Sequence, residues 1–116
     1  MYLKKINLKN KVALVTGAGK GIGRASSIAM AEAGATIIGV SRTASDLDKL
    51  QKDIKKVKGK LIKITCDIID YDDLSSKLKK IKKVDILVNN AGTNIPEPFE
   101  KIKQSSMNYL VDLNMK

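Results

Sequence analysis

Residues 16–23 read T-G-A-G-K-G-I-G and stand between an apolar run, Val12–Val15, and a segment of helical character. That placement constrains the chain more than the glycines alone. A turn poor in Cβ atoms lets backbone N–H groups approach a phosphate, and the amino end of the following helix adds about half a positive charge at the same spot. Gly17 and Gly21 permit turn geometry that a Cβ forbids, and Gly23 lets the helix sit close on the sheet. The spacing, Gly17-x3-Gly21-x-Gly23, is not the G-x-G-x-x-G dinucleotide fingerprint. Nor is it the P-loop, which needs Lys-Ser/Thr after its last glycine.

The rest of the chain alternates in the same way. Lys11–Thr16 reads as a first strand whose continuous apolarity predicts burial on both faces. Gly21–Ala33 reads as a helix with Ile22, Ala25, Ala29 and Ala33 on its inward stripe and Gly34 as its stop. Thr36–Val40 is a second strand. Asp46–Val57 is a helix with Leu47, Leu50, Ile54 and Val57 on one face, ended by Gly59. Leu61–Cys66, Asp70–Ile81 and Ile86–Asn89 follow as strand, helix and strand. Pro96 and Pro98 mark a loop, and a last helix is expected from about Gln104 to the end. The order β-α-β-α-β-α-β-α predicts one α/β domain over residues 1–116. Its expected architecture is a Rossmann-type, doubly wound parallel sheet with strand order 3-2-1-4, ending after the fourth strand and its helix.

Composition narrows the function classes. The chain has 116 residues, no His and no Trp, which removes a histidine base and the commonest metal ligand; no metal site is expected. The formal net charge is +10, and all but two of the 22 basic residues are lysines. They spread along helix-like stretches with no interleaved aromatics and no DNA-binding motif, so solvated helix faces are expected rather than a nucleic-acid site. One cysteine, Cys66, excludes an internal disulfide. Met1–Asn10 lacks the apolar core of a signal peptide, and no apolar run approaches the ~18 residues of a membrane span. A cytoplasmic protein is the expectation.

In such sheets ligands bind beyond the carboxyl ends of the strands. After the first strand comes the glycine loop, with Lys20 and Arg24 nearby. After the second comes Ser41-Arg42-Thr43, where an NAD site usually has Asp or Glu, ~20 residues past the glycines. An acid there would repel a 2′-phosphate, whereas Arg42 can grip it with two hydrogen bonds, so NADP is the expected cofactor. After the third comes Asp67, placed either to accept from an adenine amino group or to serve as a helix cap or turn residue. After the fourth comes Asn89-Asn90-Ala91-Gly92, small and amide-rich, suited to close approach of a ribose and to the nicotinamide side.

Together TGAGKGIG, the position of Asp67, NNAG and Asn114 in VDLNMK resemble the short-chain dehydrogenase/reductase family. The stretch GATIIGVSRTASDLDKL is similar to its NADPH-dependent sugar and ketone reductases, and the general pattern also suits its 3-oxoacyl-[acyl-carrier-protein] reductases. The resemblance implies that Gly17, Lys20, Gly21, Ile22 and Gly23 hold the pyrophosphate and adenosine ribose. It implies that Ser41, Arg42 and Thr43 hold the 2′-phosphate, that Asp67 and Ile68 flank adenine, and that Asn89, Ala91 and Gly92 contact the nicotinamide half. Thr16 is implied to be structural, tying the two motifs together. Asn114 corresponds to the family's catalytic Asn, which positions a water beside a catalytic Lys. The implied partner is a small carbonyl or alcohol, and the full enzyme is expected to be a homo-oligomer.

One family feature is missing. The residues four positions after the tyrosines, Tyr2, Tyr71 and Tyr109, are Ile6, Ser75 and Leu113, so no Tyr-x-x-x-Lys occurs. General-acid help typically supplies 10²–10⁴-fold, so the chain alone is expected to be nearly inert. It is expected to be either the cofactor-binding part of a reductase or a non-enzymatic NADP-binding module working with a partner. In either case the fourth strand is expected at an unpaired edge.

Overall fold

A computed structural model of the chain describes residues 7–67, 70–90 and 109–112. The elements are β1 (Val12–Thr16), α1 (Gly21–Glu32), β2 (Thr36–Ser41), α2 (Ala44–Lys56), β3 (Lys60–Thr65), α3 (Tyr71–Leu78), β4 (Ile86–Asn89) and β5 (Tyr109–Asp112). They form one sheet in the order β3-β2-β1-β4-β5, every neighbouring pair parallel. The expected order of the first four strands holds, and their bounds fall within a residue of those expected.

Successive strand side chains point to opposite faces, and the core divides accordingly. Ala13, Val15, Ile37, Ile86 and Val88 pack with Met30 and Ala31 of α1 and with Leu47, Leu50 and Ile54 of α2. Leu14, Ile38, Val40, Ile64 and Leu87 pack with Leu74 and Leu78 of α3 and with Val84. The central strands are therefore apolar at nearly every position because both faces are covered.

Three expectations are corrected. The inward face of α1 is Gly23, Ser27, Met30 and Ala31 together with Ala29, whereas Ile22 is 37% exposed. At Gly23 the helix lies so close to the turns at Gly17 and Asn90 that a small residue, not a strongly apolar one, takes the contact. Residues 109–112 form β5 instead of part of a helix, in register with β4 from Ile86↔Tyr109 to Asn89↔Asp112. β4 is thus an interior strand rather than an edge. Its backbone N–H and C=O groups find partners along a second side, and a Tyr-Leu-Val segment suits a strand. The remainder of the helix expected from Gln104 lies outside the described residues.

Helix ends are closed in two different ways. After α1, Gly34 takes φ +111, with Gly34 N–H on Ala31 C=O and Ala35 N–H on Met30 C=O, each at 3.0 Å. This is a Schellman motif with glycine at its left-handed position. After α2 the left-handed residue is Lys58, at φ +60, and the matching long bond runs from Gly59 N–H to Ile54 C=O at 2.9 Å. Gly59 is needed for space instead, since a Cβ there would lie 2.7 Å from Ala31 Cβ.

At the amino end of the sheet a buried acid joins β1 to the start of β4. Asp85 Oδ2 accepts from Val12 N–H at 2.9 Å, and Asp85 N–H donates to Val12 C=O at 2.8 Å. Lys83 neutralises the carboxylate from 3.2 Å.

Candidate dinucleotide site

The chain leaves β1 for β2 and β3 on one side and returns through β4 and β5 on the other. The reversal falls between β1 and β4, and the crevice beyond their carboxyl ends is where open α/β sheets bind ligands. Residues 17–20 lie at that crevice, and every side of the loop is held. Thr16, 1% exposed, donates from Oγ1 to Asn89 Oδ1 at 3.0 Å and accepts from Asn90 N–H at 3.0 Å. This one hydroxyl joins the glycine loop to the Asn89-Asn90 turn. On the other flank, Ala18 N–H donates to Val40 C=O at 3.1 Å, binding the loop to β2.

Each glycine of the loop answers a different demand. Gly17, at φ +62, faces Asn90; a Cβ there would sit 3.4 Å from Asn90 O. Gly21, at φ +55, has nothing within 4 Å of its absent Cβ, so its need is conformational and the space beside it is open. Gly23 is purely steric, for a Cβ would fall 2.2 Å from Gly17 O and 2.9 Å from Asn90 Nδ2. Gly19 gives passage to α2, whose Asp46 Cβ would lie 2.6 Å from a Cβ on the loop.

The three helices end differently at this edge of the sheet. The side chain of Asp70 caps α3 by accepting from Asp73 N–H at 3.1 Å, and Asp72 and Asp73 occupy its first turn. α2 has Asp46 in its first turn. α1 has Lys20 as its N-cap, no side-chain capping bond and no acid in its first turn. Its partial positive charge is therefore uncompensated by any carboxylate of its own, which suits an anionic ligand.

The other candidates sort by position. Ser41 ends β2; its Oγ accepts from Thr43 N–H at 3.2 Å and lies 3.2 Å from where a Gly19 Cβ would be. Arg42 and Thr43 are exposed beside it. Among the described residues no acid pairs with the Arg42 guanidinium. Arg24, which the sequence puts near the loop, is instead ion-paired with Asp53 of α2 and braces the two helices. Lys20 is 84% exposed along its side chain and reaches Asp46 at 3.9 Å. Asp67 follows β3 and is half-buried; since Asp70 caps α3, Asp67 is not that cap. Ile22 is exposed at the start of α1. Asn89 is buried at the end of β4. Ile68, Ala91, Gly92 and Asn114 lie outside the described residues.

The sequence reading passed over Asn90 Nδ2, which fits against Gly23, and Asp46, which closes on Gly19. Asp46 stands three residues after Thr43, the spacing of an acid in a helix's first turn, which was the available signal. Cys66 is buried beneath this edge, and burial followed by the neighbouring Asp73 carboxylate pushes its thiol pKa up to about 11. It is chemically quiet. No helix among the described residues is long and apolar enough to cross a membrane, and none of their acid or cysteine clusters could hold a metal ion.

The comparisons with known proteins fit this geometry. A family model described as short chain dehydrogenase matches residues 11–116. The chain is 38% identical to a 2-dehydro-3-deoxy-D-gluconate 5-dehydrogenase of Pseudoalteromonas atlantica, over 97% of this chain and 46% of that protein. Among solved structures, a metagenomic short-chain oxidoreductase in complex with NADP matches with TM-score 0.68 and 31% identity, covering 74% of this chain and 41% of the other. A 7α-hydroxysteroid dehydrogenase complexed with NADH and 7-oxo glycochenodeoxycholic acid matches with TM-score 0.68 and 38% identity, covering 81% and 38%. The chain spans less than half the length of each of these relatives.

Proposed function

The chain belongs to the short-chain dehydrogenase family, and from that premise we propose that it binds NADP(H) beyond the carboxyl ends of β1, β2 and β4. In the proposed reaction, hydride passes between the dinucleotide and a small carbonyl compound or secondary alcohol. The observation that carries the choice of cofactor is Arg42, exposed and, among the described residues, without an acidic partner beside Ser41 at the end of β2, where an NAD site would present an acid.

The roles proposed for the described residues follow from their position, and those of Ile68, Ala91, Gly92 and Asn114 from the family resemblance. The N–H groups opening α1, with Gly17, Gly21 and Gly23 clearing the approach, take the pyrophosphate; Ile22 lies beside the ribose. Arg42, Ser41 and Thr43 take the 2′-phosphate, and we assign Lys20 to it as well, rather than to the pyrophosphate and ribose that the resemblance implied, because its ammonium lies by Asp46 close to Ser41. Asp67 accepts from the adenine amino group, with Ile68 against the ring. Asn89, Ala91 and Gly92 orient the nicotinamide half. When bound, the nicotinamide ring supplies or accepts the hydride. Asn114 would hold a water for proton transfer. The proton donor itself is not among these residues, because no Tyr-x-x-x-Lys occurs in them. We therefore propose that these 116 residues bind the dinucleotide and do not turn over alone.

A charge-assisted hydrogen bond contributes about 1.5–3 kcal/mol, or roughly 10- to 100-fold in affinity. Equilibrium titration of NADPH and NADH, followed by nucleotide fluorescence, should show a preference for NADPH of that order. Arg42→Ala should reduce it to a few-fold. Tighter binding of NADH, or an unchanged ratio in Arg42→Ala, would defeat the assignment.

A further inference from the structure

The first turn of α2 presses a carboxylate against the glycine loop. A Cβ on Gly19 would lie 2.6 Å from Asp46 Cβ and 3.4 Å from its Cγ, with Ser41 Oγ at 3.2 Å from the same point. The Asp46 side chain is only 16% exposed, so water screens it poorly, and Lys20 Nζ is 3.9 Å away. A place in the first turn of a helix accounts for an acid at this position. It does not account for the contact with the loop or the pairing with the loop's lysine. Lys20 and Arg42 thus differ. Both stand near the end of β2, but Lys20 already has a counter-ion and, among the described residues, Arg42 has none.

We propose that Asp46 is a specificity-determining residue, whose carboxylate competes with the 2′-phosphate of NADP(H) for the Lys20 ammonium and so limits the preference for NADP(H) over NAD(H). This rests on the dinucleotide reading given above. For Lys20 to meet the phosphate it must leave Asp46, and that pairing is lost. NAD(H) carries a hydroxyl at that point and does not draw the ammonium away. Asp46 therefore sets a ceiling on discrimination that Arg42 alone would exceed.

The test is titration of NADPH and NADH into the full chain as wild type, Asp46→Asn, Lys20→Met and the double variant, with circular dichroism melts as the folding control. The lysine end of the pair is 84% exposed and 3.9 Å from Asp46, so the pair is weak, and Asp46→Asn should tighten NADPH by about three- to fivefold and leave NADH unchanged. In the Lys20→Met background the same substitution should gain less than about twofold, since the competition is gone. Asp46→Ser, equally suited to a helix's first turn, should repeat the pattern should Asp46→Asn fold poorly. Unchanged or weaker NADPH binding in a folded Asp46 variant overturns the proposal. So does an equal gain with and without Lys20, which would mean direct repulsion of the phosphate. Failure of the dinucleotide reading is distinct: Arg42→Ala would then leave the NADPH/NADH ratio where it was.

Discussion

Gly23→Ala is the sharpest perturbation the fold offers. The added methyl would stand 2.2 Å from Gly17 O, 2.9 Å from Gly17 C and 2.9 Å from Asn90 Nδ2. Non-bonded atoms of this kind rest more than 3 Å apart, so α1 must retreat from the loop by about 1 Å. Two of the three obstructing atoms are backbone of the turn after β1, held by Thr16 on one side and by Ala18 N–H on Val40 C=O on the other. Neither can yield as a flexible side chain would. Overpacking of this type costs about 1–3 kcal/mol; at the upper end that lowers Tm by roughly 10 °C for a domain of this size. Because the displaced groups are the proposed phosphate donors, NADPH affinity should fall by roughly 10- to 100-fold, the equivalent of one charge-assisted hydrogen bond of about 1.5–3 kcal/mol. Gly21→Ala is the control. It meets nothing within 4 Å and incurs only the left-handed backbone cost, about 1–2 kcal/mol. Its loss of NADPH affinity should stay well short of that of Gly23→Ala. Melts by circular dichroism and NADPH titration of the three proteins decide the matter. A Gly23→Ala protein that melts within 2 °C (about 0.5 kcal/mol) of wild type and binds NADPH as well would refute the reasoning.

Further expectations concern the frame around the site. Thr16→Val keeps the shape but orphans Asn90 N–H, so it should cost about 2 kcal/mol in urea unfolding; Thr16→Ser should restore most of the loss, and a Val variant as stable as wild type would show that the hydroxyl link is idle. Lys58→Gly should raise stability by up to about 1 kcal/mol, the left-handed cost of roughly 1–2 kcal/mol at φ +60 less the roughly 0.5–1 kcal/mol that glycine's backbone entropy takes back; a lower Tm would place some other role on that side chain. The Cys66 thiol, pushed up to about 11 by burial and the Asp73 carboxylate, should react with a thiol reagent at pH 8 roughly 10- to 100-fold more slowly in the folded protein than in urea, since only the thiolate attacks and its greater basicity offsets part of its scarcity. The sign for stability follows: the folded pKa exceeds the unfolded value, so the contribution is whole below pH 9 and is lost as pH rises toward 11. Equal labelling rates folded and unfolded would contradict the burial of the thiol.

What the amino-acid order carried on its own was periodic and local. Doubly apolar runs announced strands covered on both faces, and turn residues between them announced helices, so four strands and their order were legible before any coordinates. The glycine loop, the Ser41-Arg42-Thr43 turn and the Asn89-Asn90 turn were legible because each follows a strand whose direction the alternation already implied. Folding in three dimensions settled matters that depend on how closely two surfaces approach. Hydrophobicity assigned the inward face of α1 to Ile22 and the alanines, but contact distance gave it to Gly23 and Ser27, since only residues that small let a helix touch a backbone turn. Arg24 and Lys20 both stand near the loop in sequence, but across 29 residues Asp53 pairs with the first, and Asp46 meets the second. Residues 109–112 were read as helix from their neighbours along the chain, yet β4 offered a row of backbone partners beside them. Local composition can state what a segment prefers in isolation, but a charge's partner or a strand's neighbour is set by groups remote in sequence, and no window of residues contains them.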